Sequence, residues 1–162
     1  MVLVMCVMAW SFLSCSTNKL TKEQKAVLQA RTMQQIDDAV RQRDFTIEVF
    51  TMTPKYGPQK HLSSAYSLRV SGDSLYSYLP YVGTAYAVPY GGGQGLIFDD
   101  VIRSYDVTLT KKNVYQINLN VRNYEDDYHY FIEVYSNGKS YIKVWTRQRD
   151  QIDFSGEMSL KN

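Results

Sequence analysis

The spacing of hydrophobic positions changes near residue 44, and that change predicts most of the fold. From Lys22 to about Arg43, Ala26, Ala30, Met33, Ile36 and Val40 recur every three or four residues, with Lys, Gln, Arg and Asp between them. That period predicts one amphipathic helix whose apolar stripe packs on a sheet. Thr21-Lys22-Glu23-Gln24 offers a capping box at its start, because the Thr21 hydroxyl and the Gln24 amide can each satisfy an early N–H. Arg41 and Arg43 suit the negative end of the helix dipole.

Beyond Asp44 the period becomes two. Phe45, Ile47 and Val49 alternate with polar residues, a Pro/Gly/Lys loop runs from Thr53 to Ser64, and Tyr66, Leu68 and Val70 resume the alternation. Further strands are expected at Leu75–Leu79, Leu96–Ile102, Tyr105–Thr110, Val114–Arg122, Tyr128–Tyr135 and Tyr141–Thr146, with a last one at Gln151–Phe154. Short turns at Lys111-Lys112-Asn113, Tyr124–Asp127 and Ser136–Lys139 suit hairpins. Strands at roughly 10-residue spacing, not alternating with helices, predict a mainly β domain (α+β overall). The expected architecture is an antiparallel meander forming a small barrel or a strongly curved sheet, with one N-terminal amphipathic helix.

The first fourteen residues carry no charge and close on Leu13-Ser14-Cys15. The apolar run is too short to cross a bilayer, which takes about 20 helical residues, but it fits the apolar region of a secretory signal. Leu13-Ser14-Cys15 resembles the end of a lipobox. The expected organisation is a signal peptide over 1–14, a tether over 15–20 lipidated at Cys15, and a single domain over 21–158. Phe12 and the lack of a basic segment depart from the lipobox pattern, and a start codon upstream of Met1 accounts for the second. Both cysteines, Cys6 and Cys15, precede the domain, so cysteine catalysis and cysteine metal sites are not expected in it. A formal net charge of +2 without a basic run points away from nucleic acid. The membrane, reached through the lipid on Cys15, is the expected contact.

One segment is unusual in composition. Between Leu79 and Phe98 lie Tyr81, Tyr86 and Tyr90, with Pro80, Pro89 and five glycines. The prolines cannot donate to a strand ladder, so the stretch should run along an edge or outside the sheet. Tyr81, Tyr86, Tyr90, Gly91, Gly92 and Gly93 are therefore the candidate lip for a ligand or partner; an irregular crossover with tyrosines packed as plugs is the plainer alternative. Leu79-Pro80-Tyr81-Val82-Gly83, the Gly-rich Gly91–Phe98 and the closing Arg147–Gly156 together resemble an uncharacterised family, a domain of unknown function found in lipoproteins of gut Bacteroidetes. The resemblance spans about Phe45 to Met158. It implies an envelope location and a helix-plus-sheet fold, and brings no activity with it. In such lipoproteins surface export often goes with acidic residues after the cysteine. Ser16–Leu20 has none, which implies an outer-membrane anchor facing the periplasm.

Catalytic chemistry is poorly supplied. His61 sits in a Pro/Gly loop, and His129 lies in a strand on the face shared with Phe131, Glu133 and Tyr135. Asp99-Asp100 could form a carboxylate pair for glycoside chemistry only across a cleft. Glu125-Asp126-Asp127 lacks the rhythm of a calcium loop and reads as a solvated hairpin tip. No metal or cofactor is expected. Three functions stay open: a non-enzymatic ligand-binding or protein-interaction module of the envelope, a lipocalin-like carrier of a small apolar ligand, and a hydrolase built on Asp99, Asp100 or His129.

Overall fold

The computed structural model describes residues 21–86 and 95–160. Cys15, Tyr90, Gly91, Gly92 and Gly93 lie outside the described residues. Helix α1 runs Lys22–Gln42 and opens on the expected capping box: Gln24 N–H donates to Thr21 Oγ1, and Thr21 N–H donates to Gln24 Oε1. It ends at Arg43, a left-handed residue at φ 52°, which turns the chain directly into the first strand. The Arg43 guanidinium pairs with Asp73 at 2.7 Å and lies over the Tyr105 ring.

Eight strands follow: β1 (Asp44–Pro54), β2 (Lys60–Ser71), β3 (Ser74–Leu79), β4 (Leu96–Leu109), β5 (Tyr115–Arg122), β6 (Asp127–Val134), β7 (Lys139–Thr146) and β8 (Ile152–Ser159). Each pairs antiparallel with the next, and β8 pairs with β1, so the sheet closes into a barrel. Closure removes the open edges on which another chain could template. The expected fold class holds, and between barrel and curved sheet the chain takes the barrel.

Several boundaries differ from the sequence reading. β1 and β2 reach into the expected Thr53–Ser64 loop, since backbone pairing continues past the alternation of side chains. β4 is one strand where two were expected. A bulge between Ile102 and Ser104 bends it, so that Leu96–Val101 pairs with β3 and Ile102–Leu109 pairs with β5. β8 continues to Ser159 because Ser155, Gly156 and Glu157 interrupt the apolar pattern but not the ladder.

Inward positions are largely apolar and tightly filled. Ile47, Leu68, Leu75, Ile117, Leu119, Ile132 and Ile142 have no accessible surface. Accessible surface includes the walls of any internal void wide enough for water, so these side chains line no such void. Tyr130 is also buried there; its hydroxyl donates to Ser77 Oγ, which donates to the Leu96 carbonyl. Burial pushes the Tyr130 phenol up.

Helix α1 plugs one end of this barrel. Ile36 and Val40 are fully buried, the Val40 carbonyl accepts from Tyr105, and Asp37 accepts from Tyr115. The first half of the helix departs from expectation, because Ala26 and Ala30 are exposed along with Val27 and Leu28. Only the last two turns of the stripe reach the core. Toward its start the helix touches the barrel through Gln29 and Ser136, at the β6–β7 turn.

Candidate functional site

Four connections gather at the barrel end opposite α1: residues 55–59, the link from β3 to β4 (of which 80–86 and 95 are described), 123–126 and 147–151. Pro80 ends β3, and the chain then crosses to the β7–β8 connection. There Ala85 bridges Arg149, Tyr86 N–H donates to the Gln148 carbonyl, and Asp150 N–H donates to the Thr84 carbonyl. This crossing is the described part of the expected lip.

Tyr81 and Tyr86 play different parts in it. The Tyr81 hydroxyl donates to the Thr84 carbonyl at 2.8 Å and lies 3.3 Å from the Asp150 carbonyl. Its ring passes so close to Gly83 that a methyl group there would sit 2.6 Å from the Tyr81 oxygen. Tyr81 is therefore a fastening of the lip, packed against the core. Tyr86 is exposed, and its hydroxyl donates to Asp150 Oδ1 at 3.0 Å.

The buried Asp150 carboxylate also receives Lys55 Nζ at 3.0 Å and the Thr84 N–H at 3.4 Å. The Lys55 ammonium is the largest cause holding the Asp150 carboxyl below its usual range, and the bond to Asp150 pushes Lys55 up to about 12. The bond to Asp150 raises the Tyr86 phenol, and burial raises that of Tyr81.

Beneath the lip lies an ion cluster that sequence reasoning missed. The Arg149 side chain is 3% exposed, with Glu125 (3%) at 2.9 Å and Asp126 (1%) at 3.4 Å. Arg149 also donates to the Tyr128 hydroxyl, which lies 3.3 Å from the Gly95 carbonyl. Asp126 accepts the N–H groups of Arg147 and Gln148, fixing the β7–β8 connection. The expected solvated tip is thus corrected for Glu125 and Asp126, whose charges are spent on Arg149. A signal existed in the resemblance itself, since Arg147–Gly156 contains both Arg149 and Asp150.

The candidate catalytic groups stay apart. Asp99 and Asp100 are neighbours on β4, so their side chains leave the wall on opposite sides. Asp99 pairs with Tyr76 on β3 and Asp100 with Leu75. His61 is on β2 and exposed, whereas His129 is on the outer face of β6, stacked on Trp145. Among the described residues no three His, Cys, Asp or Glu side chains converge as a metal site, and no helix is long and apolar enough to cross a membrane.

Fold and site define a class: a small, closed, eight-stranded antiparallel barrel, plugged by a helix at one end and fastened by a polar loop cluster at the other. Residues 28–158 match the domain of unknown function DUF4251, and the chain belongs to that family. The crystal structure of a DUF4251 family protein from Bacteroides eggerthii DSM 20697 matches with a TM-score of 0.62 at 12% identity, over 82% of this chain and 91% of that one. At that identity the likeness is one of fold. A comparison with curated proteins finds no match.

Proposed function

We propose that this protein is a non-enzymatic interaction module of the bacterial cell envelope, lipid-anchored through Cys15, which engages a partner with the loops opposite α1. The observation that carries the reading is a set of exposed rings on three separate connections at that end. Tyr56 is 73% exposed, Tyr86 66% and Tyr124 83%, and Val82, on the same connection as Tyr86, is exposed too. Tyrosine offers a large ring and a polar tip at little conformational cost, which is why binding surfaces favour it. Loops on a rigid barrel are also common carriers of recognition. The Asp150 and Arg149 contacts hold these loops before any partner arrives, which lowers the ordering cost of binding.

The carrier reading is the weaker one. It needs an apolar cavity of several hundred Å³, and the barrel interior is filled by side chains. An anchor upstream of α1 suits the docking reading, because the lip then faces away from the bilayer. We place the module at the outer membrane facing the periplasm, since Ser16–Leu20, just after Cys15, has no acidic residue.

Crosslinking mass spectrometry in intact cells tests the docking surface. Tyr56→Ala/Tyr86→Ala should lose the crosslinked partner while remaining folded by circular dichroism, and unchanged crosslinks sink the reading. Cys15→Ala should move the protein from the membrane to the soluble envelope fraction; unchanged partition refutes lipidation.

A further inference from the structure

A second feature lies on the outer wall, below the lip and using none of its tyrosines. Outward side chains of β4 to β7 form a shallow groove of about 290 Å³ lined by Arg103, Asn120, Arg122, Asp127, His129 and Arg147. Register explains the grouping. Ser104 pairs with Asn120, Asn120 with His129 and His129 with Trp145, forming one row across four strands. Arg122 and Asp127 pair in the next row.

The arrangement of charge is unusual. Asp127 is only 16% exposed and binds two arginines, each through its Nε: Arg122 at 3.2 Å and Arg147 at 3.1 Å. Those arginines are 57% and 71% exposed. The carboxylate therefore lies underneath and props both guanidiniums outward. Arg103, in the β4 bulge, is exposed and carries no ion pair among the described residues. Three guanidiniums around one carboxylate leave the groove with two uncompensated positive charges. The floor is stiffened by the bond from Asn120 to Ser104 at 2.7 Å and by the parallel His129–Trp145 stack.

We propose that Arg103, Arg122 and Arg147 form a binding site for the phosphate of a phosphate monoester. Guanidinium forks match phosphate oxygens in shape and donor count. A monoester dianion balances the groove charge, whereas a carboxylate leaves one positive charge unmatched. The ester could belong to a soluble phosphosugar or to a lipid headgroup; both present the same group to the arginines.

Side-chain NMR of the full chain separates the outcomes. Inorganic phosphate should shift the Nε–Hε resonances of Arg103, Arg122 and Arg147 saturably, while Arg69, on β2, stays still. Arg122→Gln and Arg147→Gln should each weaken the response about tenfold. Both side chains are exposed, so circular dichroism should show unchanged melting. Glucose 6-phosphate binding more tightly than dihexanoyl phosphatidic acid assigns a soluble ligand, the reverse order a lipid headgroup, and equal binding a site that reads the phosphate alone. An equal response to chloride at matched ionic strength, or shifts spread over all arginines, overturns the proposal.

Discussion

Arg149 is the residue on which the lip end turns, because three connections meet on its guanidinium and backbone. Removing one partner of a buried ion cluster leaves the others charged and unpaired. Arg149→Met should therefore cost about 3–5 kcal/mol in urea unfolding, more than an exposed pair could. Two further side chains make the opposite and the milder case. Thr51 Oγ1 is buried without a hydrogen-bond partner among the described residues, so Thr51→Val should leave stability unchanged or raise it by about 1 kcal/mol. Gly83→Ala must push the Tyr81 hydroxyl off the Thr84 carbonyl, a loss of about 1 kcal/mol that should register as faster hydrogen exchange at Tyr86 and Asp150. Little of this is legible in the residue string. Glu125 and Asp126 look solvated because their partner lies on another hairpin, and a reading of neighbours in sequence contains no term for it. Tyr81 and Tyr86 look alike for the same reason: only the crossing to Asp150 makes one a fastening and leaves the other exposed.

At the scale of elements, periodicity carried further. The helix and the alternating faces of β5, β6 and β7 follow from spacing, because inward positions there are apolar except for Ser140 and Thr146 at the two ends of β7. The failures are places where packing is decided by reach. Ala26 and Ala30 continue the helical stripe, yet α1 is longer than the barrel end it covers, so its outer half stays exposed. The lip behaves as an element too, and its latch should respond to pH at both limits. The folded Asp150 value is lowered from 3.8, so its contribution is present above that value and is lost as acid carries the pH through the lowered one. The folded Lys55 value is raised from 10.5 to about 12, so its contribution is present below 10.5 and is lost as the pH rises through about 12. Hydrogen exchange at the Tyr86 and Asp150 amides should be slow relative to an unstructured peptide between these limits and should quicken toward it at each. Lys55→Met should weaken the alkaline limb, and the remainder belongs to the Tyr86 phenol, which no longer donates to Asp150 once it deprotonates above its ordinary value.

For the whole molecule, the decisive contact is the seam between β1 and β8, where Gly156 lies opposite Val49. A methyl group at Gly156 would meet the Glu48 carbonyl oxygen at 1.9 Å, backbone against backbone, with no side chain able to give way. Gly156→Ala should cost about 3 kcal/mol or more and should shift melting far more than Gly83→Ala does. A meander forming either a barrel or a strongly curved sheet was legible in the strand count, whereas closure was not, since alternation fixes which face a residue takes and says nothing of which strand ends up beside the first. That seam joins the first strand to the last, so it must wait for the whole domain to leave the ribosome. Until Ile152–Ser159 has emerged, β1 and β7 each keep one flank without a neighbour. The chain has a period of vulnerability that lasts as long as its own synthesis, and the final strand brings it to an end.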